Sequence, residues 1–103
     1  MELLPAELRS KLPPLYSQEG VADPVAQAKF FTPDSNWTWY ATEGSAEDDD
    51  FIFFGYVIGF EKEWGYFSLS ELAGIRGPLR LPVERDLYFE PAPISQVLAR
   101  EHH

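Results

Sequence analysis

Carboxylates are the most abundant chemically capable side chains here, and Glu43, Glu47, Asp48, Asp49 and Asp50 crowd into eight residues. Hard cations such as magnesium and calcium take oxygen ligands, so a carboxylate-rich loop can in principle hold one. The run lacks the Asp-x-Asp-x-Asp-Gly spacing of a calcium loop, and an acidic, solvated connection between strands is the simpler reading. Glu61-Lys62-Glu63 also invites a metal-dependent nuclease reading, since restriction-type nucleases place a Glu and a Lys on one strand face with one residue between them. Here Glu61 and Lys62 are adjacent, so in an extended segment their side chains diverge. The triplet reads instead as an exposed hairpin turn. The sequence contains no cysteine, and its only histidines are His102 and His103 at the end of the chain, where a frayed terminus or a tag remnant makes a poor site. Ser-His-Asp and Cys-His catalysis and the usual zinc sites are therefore excluded. HExxH, GxGxxG and GxxxxGK[ST] are absent as well. No catalytic residue, metal ligand or cofactor is expected.

Two other groups of residues can bind. Trp37, Trp39, Tyr40, Tyr56, Trp64 and Tyr66 could stack bases or sugars. Such platforms come with a basic groove, which these strands lack, so core packing is the first expectation. A Trp that proves exposed would point to a protein contact. Arg76, Arg80 and Arg85 recur around Gly77-Pro78-Leu79. With Glu84 and Asp86 beside Arg85, internal pairing is the default, and an anion or partner site is the alternative. The candidate partner surface therefore comprises Glu47, Asp48, Asp49 and Asp50 with Trp37, Trp39, Arg76 and Arg80.

The elements that must position these residues follow from pattern. Pro5 to Leu12 reads as a short helix, with Pro5 in the first helical position and Pro13-Pro14 ending it. Leu4, Leu8 and Leu12 form an apolar stripe at helical spacing. Val25 to Phe31 predicts one strand, and Thr32-Pro33-Asp34-Ser35-Asn36 a turn. Trp37 to Thr42 predicts a second strand, with Trp37, Trp39 and Ala41 on one face and Thr38, Tyr40 and Thr42 on the other. Residues 44–50 then form an acidic loop. Phe51 to Phe60 is apolar on both sides and reads as a central strand, with Phe54, Tyr56 and Ile58 deeply buried. Glu61 to Gly65 turns the chain, with Gly65 in a left-handed position, and Tyr66-Phe67 returns. Ser68-Leu69-Ser70-Glu71 fits a capping box opening a helix of two turns. Val83 to Phe89 predicts a last strand, and Ile94 to Arg100 a terminal helix.

The chain has 103 residues, 45% of them apolar, enough for a single domain over residues 1–103. The expected architecture is α+β: a mainly antiparallel sheet of four or five strands, with short helices packed on one face. Seventeen acids against eight bases give a net charge of −9, which disfavours direct binding to nucleic acid. No apolar run approaches the roughly 20 residues that span a bilayer, and no signal peptide opens the chain, so a cytoplasmic location is expected.

Leu12-Pro13-Pro14-Leu15-Tyr16-Ser17, Phe30-Phe31-Thr32-Pro33-Asp34-Ser35-Asn36-Trp37-Thr38-Trp39-Tyr40 and Phe53-Phe54-Gly55-Tyr56-Val57 are distinctive strings. With Gly65-Tyr66-Phe67-Ser68-Leu69-Ser70-Glu71-Leu72 and Glu84-Arg85-Asp86-Leu87-Tyr88-Phe89, they resemble an uncharacterised bacterial family of small proteins. Its members are often encoded on plasmids and other mobile elements. The resemblance implies that context and no activity. Some of its members are labelled lipoproteins, which a chain without cysteine cannot be. The expected function is a non-catalytic, acidic module of a mobile element that binds another protein with a basic surface, inhibiting or modulating host DNA-acting machinery. The alternatives are a metal-dependent enzyme acting on nucleic acid through Asp and Glu ligands, and a subunit whose apolar sheet face a partner completes. Homodimerisation stays open.

Overall fold

A computed structural model describes residues 1–101; His102 and His103 lie outside the described residues. Five antiparallel strands in the order β5-β4-β3-β2-β6 form the main sheet. They are β2 (Ala28–Phe31), β3 (Thr38–Glu47), β4 (Asp50–Ile58), β5 (Lys62–Ser68) and β6 (Glu84–Arg85). A two-stranded ribbon pairs β1 (Val25–Ala26) with β7 (Ala92–Pro93). Three short helices complete the chain: α1 (Ala6–Lys11), α2 (Leu69–Gly74) and α3 (Ile94–Glu101). The architecture is α+β, as expected. No described helix is long and apolar enough to cross a membrane.

The sheet grows from the β3–β4 hairpin, and here the expected loop at 44–50 is corrected. β3 continues to Glu47 and pairs with Asp50, leaving only Asp48-Asp49 as the turn. Asp48 adopts φ 51°, a left-handed conformation that aspartate tolerates and tight hairpins require. The strand survives its acidic composition because small residues face the core. A Cβ on Gly44 would stand 2.4 Å from the Phe51 ring, so only glycine fits under that phenyl group.

Further strand boundaries shift for equally local reasons. The turn between β4 and β5 spans residues 59–61, where the Gly59 N–H donates to the Glu61 carbonyl at 2.9 Å. β5 therefore begins at Lys62, and Gly65 lies within it, not in a left-handed turn. Residues 25–31 split at Gln27, whose N–H still reaches the Ala41 carbonyl at 2.8 Å, while β1 leaves the main sheet to pair with β7. The last strand shrinks to Glu84–Arg85, after which Asp86 bonds the Tyr88 N–H and turns the chain.

Burial divides by face. Phe30, Trp39, Phe53 and Phe67 meet Leu8 and Leu12 of the α1 segment and Leu72 of α2 on one side. Tyr40 and Ala26 meet Ile94 and Val97 of α3 on the other. Two helices thus share a face, and the third covers part of the opposite one. The expected burial of Phe54, Tyr56 and Ile58 is overturned: Phe53 is fully buried, these three are only half-buried, and Phe60 is 95% exposed. The α1–α2 side is the thicker layer, so odd positions of β4 carry the core.

A polar clamp seats α3. Glu101 Oε1 accepts from Lys29 Nζ at 2.7 Å and from the Tyr40 hydroxyl at 2.9 Å. Burial pushes the Glu101 carboxyl up, but hydrogen bonds from Lys29 and Tyr40 and the charges of Lys29 and Arg100 outweigh it and hold it below its ordinary value. Burial, followed by the Glu101 contact, pushes the Tyr40 hydroxyl up.

Two outcomes are expected. Phe53→Ala costs about 3–5 kcal/mol in urea unfolding, and Phe54→Ala clearly less, because only the first empties a closed site. Equal losses would show that the even face of β4 is also a core. Glu101 titrates lower in the folded chain than in the unfolded one, where its pKa is about 4.3. Its stabilisation is therefore present above that value and lost as pH falls through the folded pKa. Glu101→Gln should be less stable than the parent at pH 7, with the gap closing below about pH 4. A gap independent of pH would show that the carboxylate is not the source.

Candidate functional site

The sheet separates the candidate residues into three places. Glu47, Asp48 and Asp49 stand exposed at the tip of the β3–β4 hairpin. Asp50 turns back: its carboxylate accepts from the Phe51 N–H at 2.8 Å and from both the hydroxyl and the N–H of Ser70. The Ser70 hydroxyl, then the Phe51 N–H, hold the Asp50 carboxyl below its ordinary value. Asp50 thereby fastens α2 to the hairpin. Among the described residues, no three His, Asp or Glu side chains gather as a metal-ion ligand set.

Trp37, Trp39 and Arg76 come together. The two indoles stack at 5.8 Å between ring centroids and 26° between planes. They line a cavity of about 540 Å³ with Thr32, Ile75, Arg76 and Pro78. Trp37 packs against Gly59, where any Cβ would stand 2.2 Å from the indole. The Thr32 hydroxyl accepts from the Trp37 N–H at 3.1 Å and fixes the entry to β3. Arg76 Nη1 donates to the carbonyls of Ala73 and Ile75 at the end of α2. An antiparallel bridge from Arg76 to Pro82 closes the following loop, in which Arg80 adopts φ 64°. Arg80 lies on that loop, outside the cavity wall. Neither arginine makes an ion pair among the described residues.

The third place is one that sequence reasoning assigned to the core. On the face opposite the tryptophan pair, cross-strand rows run Tyr40–Tyr56–Trp64 and Glu43–Phe54–Tyr66. Trp64 stacks on Phe54 at 5.8 Å and 11°, and meets Tyr56 edge-on at 5.4 Å. Tyr66 packs on Phe54 at 4.8 Å. These rings are not closed over. Trp64 is 42% exposed and Tyr66 56%. β5 is also the edge of the sheet.

Glu43 organises one border of this face and was missed by sequence reasoning, which counted it with the acidic run. It is 3% exposed. Its two oxygens accept from the Tyr16 N–H at 3.0 Å and the Gln18 N–H at 2.6 Å. That holds the 15–18 segment, where Tyr16 adopts φ 72°, and sets the Tyr16 ring 6.3 Å from Tyr66. The available signal was its position inside a run of strand-forming residues, where a lone carboxylate must find donors.

A five-stranded antiparallel sheet with three short helices, and with no metal-ligand cluster among the described residues, defines a small α+β domain. The family described as a protein of unknown function, DUF2958, matches residues 3–102, and the chain belongs to it. No curated protein and no solved structure matches the chain.

Removing the Glu43 carboxylate should free the segment it holds. Glu43→Ala leaves two donors without their acceptor, at a cost of about 1–3 kcal/mol, and the Tyr16 and Gln18 amides should exchange with deuterium much faster. Unchanged exchange at both amides would show that the segment is held by other contacts.

Proposed function

We propose that the chain is a non-catalytic protein-binding module that takes an extended, basic segment of another protein along β5 and the aromatic face beside it. The observation that carries this reading is Trp64, an exposed indole on a seven-residue edge strand. Unprotected edges offer unpaired backbone groups to a further strand. The other edge, β6, is only two residues long. Tryptophan and tyrosine are the residues most often dominant in protein interfaces, because a large rigid ring loses little entropy on docking.

Charge selects the occupant. Glu61 and Glu63 adjoin β5 or lie in it, Glu19 stands near Tyr66, and the whole chain carries −9. A second copy would be repelled and a basic segment attracted. Glu47, Asp48 and Asp49 then act at a distance, accelerating encounter rather than making the contact. Host DNA-acting proteins in the cytoplasm, whose nucleic-acid sites are basic, are the partner class suggested by the resemblance to a family often encoded on plasmids and mobile elements.

The test uses a ten-residue peptide of alternating lysine and valine as the probe, with its glutamate counterpart as control. Backbone amides of Lys62 to Ser68 should shift and gain protection with the lysine peptide alone, more weakly as salt rises. Trp64→Ala should weaken binding at least tenfold. Replacing Glu47, Asp48 and Asp49 by Gln and Asn should slow association and leave dissociation unchanged. Shifts confined to other strands, indifference to Trp64, or a dimer paired through β5 would each overturn the reading.

A further inference from the structure

The tryptophan-lined cavity lies on the opposite face of the sheet and does not take part in the β5 proposal. Its walls differ chemically from the rest of the surface. In a chain with seventeen acids, none of its lining residues is acidic, and one of them, Arg76, is basic. Asp34 adjoins the lining residue Ser35 without lining the cavity itself, and its Oδ1 is buried with no hydrogen-bond partner among the described residues. Its carboxylate rests on Gly77, where a Cβ would stand 1.7 Å from Oδ1, and Oδ2 accepts from the Leu79 N–H at 2.7 Å.

Two features set the shape of a ligand. Trp39 is 5% exposed and rests in the core, so it offers a fixed wall; Trp37 is half-buried and stacked on it. Ile75 and Pro78 supply further apolar wall. Stacked indoles beside apolar walls favour a flat ring, by contact area and by quadrupole geometry. The volume, about 540 Å³, falls in the range of small-molecule sites.

Two features set its charge. Nη1 of Arg76 is committed to the end of α2, which fixes the guanidinium in place. Nε and Nη2 make no hydrogen bond among the described residues. A planar fork with two free donor nitrogens suits a carboxylate or a phosphate. Arg80, on the loop closed by the Arg76–Pro82 bridge, adds a second unpaired charge close by in the chain.

We propose that this cavity binds a small planar aromatic anion, its ring against Trp37 and Trp39 and its anionic group on Arg76. The anionic group is a carboxylate on a simple aromatic acid or the phosphate of a nucleotide. Both present the same chemistry to the wall.

The experiment follows the three indole N–H signals of the nitrogen-15-labelled chain by NMR, assigned through Trp37→Phe and Trp64→Phe. The probes are adenosine 5′-monophosphate and benzoate, each beside its neutral parent, adenosine and benzamide. An anion should shift the Trp37 and Trp39 signals and leave Trp64 in place, binding about tenfold more tightly than its neutral parent. Arg76→Gln keeps a donor for the helix end and should abolish that tenfold preference, with the spectrum otherwise that of a folded chain. Whichever anion binds identifies the source of the charge. No shift with either anion at millimolar concentration would overturn the proposal without any variant being needed. So would equal affinity for anion and parent, or a response at Trp64 alone.

Discussion

The register of β3 against β4 slips by one residue between Ala41 and Glu43, and much of the molecule follows from that slip. Before it, Trp39 and Ala41 face α1 and α2, and Tyr40 faces α3. After it the phase inverts. Gly44 faces the Phe51 ring, and Glu43 lies in the row of Phe54 and Tyr66. An uninterrupted strand of period two would turn Glu43 toward the phenylalanine core, with no donor to receive it. The bulge requires close approach: a Cβ at Gly55, opposite Ala41, would stand 1.7 Å from the Tyr40 carbonyl oxygen. Glycine there is a steric necessity. The Thr42 hydroxyl completes the joint by donating to the Phe54 carbonyl at 3.1 Å.

Net charge alone would describe the acids as a surface field, yet many of them hold the chain to itself. Asp23 accepts from the Ser95 N–H at 3.0 Å and from its hydroxyl, so an acid 72 residues upstream anchors the first turn of α3. Those two bonds, hydroxyl first, hold its carboxyl below the ordinary value. Asp34, Glu43, Asp50 and Asp86 each accept from at least one backbone N–H. A small domain rich in turns has many backbone donors outside helices and strands, and short carboxylates satisfy them economically. Glu101 holds α3, Glu7 pairs with Lys11 and Glu71 meets the Ser68 hydroxyl, whereas Glu47, Asp48 and Asp49 stand exposed at the hairpin tip.

This division also explains what was legible in the sequence. The leucine stripe of α1, the break at Pro13-Pro14, the Ser68 cap and the alternation of Trp37 to Ala41 are local signals, and each reappears in the structure. Ser68 Oγ does accept from the Glu71 N–H at 3.1 Å, although its own hydroxyl, and not its N–H, meets the Glu71 carboxylate. The misread positions depend on distant neighbours. Residues 44–47 look like a loop by composition and become a strand because residues 50–53 lie opposite. Phe53 and Phe54 are identical residues, and only the placement of α1 and α2 decides which is buried. Gln27 divides two strands because β7, more than sixty residues away, offers β1 a partner. The tryptophans were visible as a cluster, but their separation onto two faces required strand pairing as well as period.

That separation bears on how the two surfaces can work. Trp39 and Tyr40 are neighbours in β3, yet one floors the cavity and the other lies under α3 beside the open aromatic face. The sheet between them is one residue thick, so Tyr40 and Tyr56 on one side are backed by the packed core of Trp39, Phe53 and their neighbours on the other. Such backing fixes ring orientation, and preorganised rings of this kind would lose less entropy on the binding proposed above. It also keeps substitutions chemically separate, since a change at Trp64 removes no wall of the cavity and a change at Arg76 removes no ring from β5. Aromatic residues make up 16% of the chain, and the two cores leave several of their rings outside. Trp37, Phe54 and Tyr56 are half-covered on the sheet, and Trp64 and Tyr66 stand more open beside them.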